Sequence, residues 1–231
     1  MADKHVQEAT STDVVLKAKS FWSKNQKPLL TVIVILVVLI GGWFVYKNYV
    51  VAPKEEEAQN AMFRAEQYFR EDSLKLALNG DKFNRGFVYI INNYGSTKSG
   101  NLARYYAGLC CLRTGDFNKA ATYLKDFKTS AKQVQMMAYG ALGDAYSELN
   151  KNDDAVTYYK KAAEEFTDDV AMTSEYLFRA ALKLETTGKN SEALELYKEL
   201  KQKYPTTERG FAADKYIYRL SIVPNDFSVS K

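Results

Sequence analysis

The chain has 231 residues, 46% of them apolar, and a net charge of +4. That length allows one domain with its own core plus an appendage. The charge divides into +2 over residues 1–28 and +2 over the remainder, so the body lacks the one-sided field that holds phosphates, and a nucleic-acid role is discounted.

In the leader, 1–28, Val14, Val15, Ala18, Phe21 and Trp22 recur on one helical face and Lys17, Ser20, Lys24 and Lys27 on the other. Thr12 or Asp13 is placed to cap such a helix. An amphipathic helix of this kind either rests its apolar side on lipid, with lysines at anionic headgroups, or docks on a membrane partner.

Residues 29–46 read LLTVIVILVVLIGGWFVY. At ~1.5 Å per residue this run is about 27 Å long as a helix, close to a bilayer's hydrocarbon thickness. Thr31 is its one clearly polar residue before Trp43 and Tyr46, whose amphipathic rings favour the headgroup region. A soluble core helix would carry charge on its outer face, so a transmembrane helix is expected. Retention is expected too. The run is longer than the apolar part of a signal peptide, and Pro53 would block a cut after Val50 and Ala52. No cysteine follows for lipid attachment. Lys17, Lys19, Lys24 and Lys27 precede the run, whereas Lys47 and Lys54 follow it. Positive charge stays cytoplasmic, which predicts a cytosolic leader and a body, 47–231, across the membrane.

The body repeats itself. Ala120, Ala155 and Ala193 are 35 and 38 residues apart, as are Gly115, Asn150 and Gly188, and again Gly108, Gly143 and Ala181. This spacing resembles the tetratricopeptide pattern, a helix–turn–helix unit of about 34 residues. The small residues let the two helices of a unit approach. Asp116, Asn152 or Asp153, and Asn190 or Ser191 are placed to cap each second helix, and Pro205 to end the last unit. The stretch FNRGFVYIINNYGST reads as an earlier second helix, with Gly95 where Pro205 stands, and a degenerate partner lies near 55–78. TTERGFAADKYIYRLSI reads as a terminal helix covering the end of the stack. The predicted fold is therefore all-α: one N-terminal span, then a tetratricopeptide solenoid of about four units over 47–222 with a C-terminal capping helix, and a tail at 223–231.

No catalytic constellation is visible. There is no glycine-rich phosphate loop, the sole histidine is His5 in the leader, and Asp153-Asp154 and Asp168-Asp169 fall where helix caps belong. NKNDDA lacks the glycine and terminal glutamate of a calcium loop. Cys110 and Cys111, being adjacent, do not meet disulfide geometry and sit where small buried side chains are wanted. No cofactor, metal, small-molecule substrate or enzymatic activity is expected. Phe117, Tyr123, Tyr158, Tyr159 and Tyr197 have the spacing of packed aromatic residues.

Such solenoids bind partners along the groove lined by their first helices. By register that groove presents Leu102, Tyr105, Leu109 and Arg113, then Met137, Asp144, Ser147 and Glu148, then Glu175, Phe178, Leu182 and Glu185. Aromatic and apolar surface mixed with acids suits an extended or helical polypeptide with apolar anchors and some positive charge.

Lys19, Phe21-Trp22, Asn25 and Lys27 before the span, with Gly41, Trp43 and Tyr46 at its exit, resemble the start of the YfgM-like family of ancillary Sec-translocon subunits. The resemblance covers about forty residues specifically. It implies a non-catalytic bacterial inner-membrane protein beside the SecYEG channel, with a periplasmic repeat domain that contacts channel subunits, emerging polypeptides or periplasmic chaperones. Phe21, Trp22, Lys24, Lys27, Gly41, Trp43 and Tyr46 would then dock against lipid or channel. A membrane-tethered scaffold for outer-membrane assembly or cell division is the alternative.

Overall fold

A computed structural model describes residues 3–222, with side chains described at 15, 16, 19 and from 21 onward. The side chains of Thr12, Asp13, Val14, Lys17, Ala18 and Ser20, and the tail at 223–231, lie outside the described residues. The described residues are helical, apart from turns and one isolated bridge between Gly80 and Arg85.

The first compact unit, Met1–Lys54, is built on α1 (Asp3–Tyr46), followed by one π-helical turn, Lys47–Val51. The backbone is already helical from Asp3, so Thr12 and Asp13 lie within α1 and neither caps it. Pro28 is also inside α1, where it gives no N–H to the preceding turn. Every side chain over 29–46 is exposed. Among the described residues this is the one helix long and apolar enough to cross a membrane, consistent with a single-pass anchor. At its end Lys47 Nζ stands 5.1 Å from the centre of the Trp43 ring, a cation and an indole paired as headgroup depth favours.

The second unit begins at Glu55, within α2 (Ala52–Arg70). It continues with α3 (Leu74–Asn79), α4 (Phe87–Tyr94), α5 (Lys98–Arg113), α6 (Phe117–Asp126), α7 (Lys132–Glu148), α8 (Asn152–Glu165), α9 (Val170–Thr186), α10 (Asn190–Lys203) and α11 (Glu208–Ser221). From α4 to α11 each helix packs on the next, as a stacked solenoid requires. The pairs α5–α6, α7–α8 and α9–α10 are the three repeats read from spacing. Between the helices of each pair the chain turns through a left-handed residue, Gly115, Asn150 or Gly188, at φ 83°, 56° and 80°. The next amide then reaches back to close the helix: Asp116 to the Cys111 carbonyl, Lys151 to Tyr146 and Lys189 to Leu184, at 2.8, 2.9 and 2.9 Å.

The same turn recurs earlier and identifies the first repeat. Asp72 is left-handed at φ 58°, and the Ser73 amide donates to the Tyr68 carbonyl at 2.8 Å. Ala65, Asp72 and Ala77 stand at the offsets of Gly108, Gly115 and Ala120, and both alanines are fully buried. The second helix of this repeat is therefore not one stretch from Phe83. It starts as α3, is interrupted at residues 80–86 and resumes as α4. The insertion lengthens the spacing and hides the repeat. Glu55 ties α2 to the next repeat, its carboxylate accepting the Lys98 and Ser99 amides at 2.6 and 2.9 Å and the Ser99 hydroxyl at 2.6 Å.

Capping follows the expectation in part. Asp116 accepts the Lys119 amide at 3.2 Å, and Asp169 the Met172 amide at 3.0 Å. Asn152, Asp153, Asn190 and Ser191 do not cap. The cap position is the residue directly after the left-handed one, and in α8 and α10 that residue is Lys151 or Lys189. Asp153 instead binds Lys189 Nζ at 2.6 Å, joining two repeats. Helices α5 and α11 open on a shared device: the Thr97 hydroxyl accepts the Gly100 amide and the Thr207 hydroxyl the Gly210 amide, at 2.9 and 3.1 Å.

The core forms three clusters, bridged by the half-buried Leu78, Tyr123 and Tyr146. Phe87, Ile90, Ala107 and Cys110 fill the first repeats, Leu124 and Leu142 the middle, and Tyr176, Leu184, Tyr197 and Leu200 the last. Gly143 shows why small residues recur in the first helices. A Cβ there would lie 2.6 Å from the Tyr159 ring, so any side chain would part α7 from α8. Helix α11 covers α9 and α10 but leaves Phe211, Tyr218 and Ile222 largely exposed, so the end of the stack is not fully closed. Counted from the capping threonines, Tyr218 stands where Gly108 stands in α5, and its bulk opposes a closely packed further helix.

Candidate functional site

Two adjoining cavities form a trough along the first helices of the later repeats. One, of about 440 Å³, is lined by Leu112, Phe117, Asp144, Ser147, Glu148 and Tyr159. The other, of about 210 Å³, is lined by Ser147, Tyr159, Arg179, Leu182, Lys183 and Thr186. Ser147 and Tyr159 belong to both, so the surface runs unbroken from α5–α6 past α7–α8 to α9.

Its electrostatics come from one chain of ion pairs. Arg179 lies between Asp144, at 3.0 and 3.1 Å, and Glu175, at 2.8 Å. Glu175 also receives Arg209 Nε at 2.6 Å. The Tyr159 hydroxyl donates to Asp144 at 2.7 Å, and burial, with the Asp144 charge beside it, raises its pKa. Glu185 accepts the Tyr197 hydroxyl at 2.9 Å and pairs with Arg219. Burial alone would raise the Glu175 carboxyl, but the bonds from Arg179 and Arg209 hold it below its ordinary 4.5. A carboxylate lowered in this way stabilises the fold above its unfolded pKa, and that contribution is lost as pH falls through the folded value. The unfolding midpoint in urea is therefore expected to drop as pH is taken below 4.5, and the Glu175→Gln variant to show a flatter dependence over that window.

The residues expected to line a groove separate into three groups. Asp144, Ser147, Glu148 and Leu182 meet in the trough. Leu102 lines a different cavity of about 260 Å³ with Gln59, Met62, Phe63, Glu66 and Ser99, and Met137 is partly exposed on α7. The others are engaged in packing or pairing. Phe178 is 6% exposed, its ring edge-on to Tyr216 with the Arg209 guanidinium 4.5 Å away. Tyr105 is half-buried against Phe127, and Leu109 packs with Leu124 and Leu142. Arg113 reaches Asp72 at 2.6 Å across the Phe69 ring. Glu175 and Glu185 are paired to arginines, so the acidic character expected of the groove is largely neutralised within the chain. Glu148 is the trough carboxylate with no cation paired to it among the described residues.

Leu112, Phe117, Tyr159, Arg179, Lys183 and Thr186 line the trough without having been expected there. Tyr159 was readable in principle: it faces Gly143 from the second helix of the same unit, and such a pair brings the ring to the rim. Arg179 was readable as the cation two residues before Ala181, as Asp144 stands one residue after Gly143. Cys110 and Cys111 are fully buried, and burial pushes their thiols up to about 12 and about 11, so neither carries appreciable thiolate at neutral pH.

A family model described as a tetratricopeptide repeat-like domain matches residues 19–142, more than half of the chain. The chain belongs to the tetratricopeptide repeat-like domain family. A second model, described as a tetratricopeptide repeat, matches residues 141–207. None of the curated proteins compared with the chain matches it. The first match takes in the apolar run 29–46 together with the opening repeats, so anchor and solenoid fall within one family signature. Tetratricopeptide domains of this kind are scaffolds for protein–protein interaction.

Proposed function

We propose that this protein is a non-catalytic accessory subunit of the Sec translocation channel in the bacterial inner membrane. The leader faces the cytosol and the solenoid the periplasm, as the excess of lysine before the span favours. Phe21, Trp22, Lys24 and Lys27 before the span, and Gly41, Trp43 and Tyr46 at its exit, meet channel or lipid. All of them are exposed. The trough holds a segment of an emerging polypeptide or of a periplasmic chaperone. The observation that carries the reading is the trough itself: apolar rims at Leu112, Phe117 and Leu182, and a free carboxylate at Glu148, fit an apolar anchor next to a basic residue.

Photo-crosslinkers placed at Ser147 and Leu182 in cells are expected to capture channel subunits, a translocating chain or a periplasmic chaperone. Ser147→Trp, which fills the shared floor of both cavities, is expected to abolish a crosslink from Leu182 while the unfolding midpoint stays unchanged. Crosslinks confined to outer-membrane assembly or division proteins would overturn the translocon reading and favour the alternative scaffold.

A further inference from the structure

The insertion at residues 80–86 has no counterpart in the later repeats, and it is rigidly built. The Asp81 carboxylate accepts the Phe83 and Asn84 amides at 2.7 and 2.6 Å and the Tyr68 hydroxyl at 2.6 Å. The Asn84 side chain bonds to the same carboxylate and to Tyr68, and the Asp81 amide donates to the Asn84 carbonyl at 3.0 Å. These bonds hold the Asp81 carboxyl well below its usual range, the Tyr68 hydroxyl contributing most. At the tip Phe83 is 91% exposed, more than any other large apolar side chain described. Lys82 and Arg85 flank it, both exposed, with the Arg85 guanidinium 4.4 Å from the centre of the Tyr89 ring, and the exposed Lys75 and Leu76 lie on α3 beside the insertion.

We propose that this loop is a lipid-contacting finger that sets Phe83 into the headgroup region of an anionic bilayer, with Lys82 and Arg85 against its phosphates. Three features favour lipid over a protein partner. The exposed apolar surface here is one aromatic ring and the neighbouring Leu76, whereas a stable protein interface needs a patch of roughly 800 Å² on each side. Lipid closes around a single inserted ring, and cations beside that ring complement an anionic surface. The loop belongs to the same chain as the apolar helix 29–46, so even a weak contact with lipid operates at raised effective concentration. The hydrogen-bonded base means that little conformational freedom is lost on insertion.

The full chain reconstituted in bilayers tests the idea, with a spin label on Phe83→Cys and a control label on Lys198→Cys. Unlabelled positions contribute little, because Cys110 and Cys111 are fully buried. In phosphatidylglycerol-containing bilayers the label at 83 is expected to collide more with oxygen than with a water-soluble nickel complex, and the control label to behave as in water. In phosphatidylcholine bilayers the preference at 83 weakens. Adding Lys82→Gln or Arg85→Gln should lower the immersed fraction about fivefold per charge in the anionic bilayer. A label at 83 as water-exposed as the control in both lipids would overturn the proposal, as would immersion indifferent to both charge substitutions. The readout involves no channel or trough partner, so its failure is distinct from failure of the translocon reading.

Discussion

Phe87→Ala is expected to destabilise the solenoid by about 3–5 kcal/mol. The Phe87 ring is fully buried, stacked on Tyr106 at 5.3 Å and edge-on to Phe69 at 6.5 Å, so truncation removes a large apolar surface and two aromatic contacts together. Because repeats couple mainly to their neighbours, the loss should be local. Amide exchange is expected to accelerate first in α2, α4 and α5, and only later in α9 and α10. Equal acceleration throughout would show that the first repeat is not a separate stacking unit. Phe83→Ser, four residues earlier on an exposed tip, is expected to leave the free energy of unfolding in urea within about 0.5 kcal/mol of the parent. The contrast between these two phenylalanines tests whether residues 80–86 interrupt the helix.

Tyr197→Ala is expected to produce a loss of similar size, about 3–5 kcal/mol, at the other end of the stack. The ring is fully buried, stacks on Tyr216 at 4.8 Å and lies 6.0 Å from Phe178. Its hydroxyl is bonded to Glu185, which also pairs with Arg219 of α11. Tyr197→Phe keeps the ring and removes that bond, so it should lose only about 0.5–1.5 kcal/mol. Urea unfolding of both variants separates packing from hydrogen bonding. If the two were equally damaging, the hydroxyl–Glu185–Arg219 connection rather than the ring would hold α11 in place.

The three later repeats were readable because their constraints are short in range. A helix needs a small residue where its partner crosses, and the chain needs a left-handed residue to leave one helix and begin the next. Gly108, Gly115 and Ala120 mark both requirements, and the same offsets recur twice. The first repeat obeys the same rules through Ala65, Asp72 and Ala77, and it was read only as a degenerate unit, with its second helix begun at Phe83 and without its turn. Asp72 stands where the later turns carry glycine or asparagine, and the insertion at 80–86 separates Ala77 from the rest of its helix. The helix caps show the same limit. The position is set by the turn, and only where that position holds Asp116 does a side chain serve it.

The trough was less legible than the fold. Asp144, Ser147, Glu148 and Leu182 meet there as the repeat register suggests. Phe178 does not, because the face it shares with them is claimed by α11, whose Arg209 and Tyr216 close over the ring. Glu175 and Glu185 are neutralised by Arg209 and Arg219, cations 34 residues further along in each case. Periodicity within one helix says nothing about what the next helix brings.

By itself the amino-acid sequence determined the span, the repeat and the absence of a disulfide framework, since each depends on residue type and spacing along a single segment. Only the tertiary structure decided which groove residues stay accessible, which carboxylates keep their charge free and where the second helix of the first repeat is broken. Those outcomes depend on contacts between repeats, where one arginine or one inserted loop outweighs the pattern of the helix it meets.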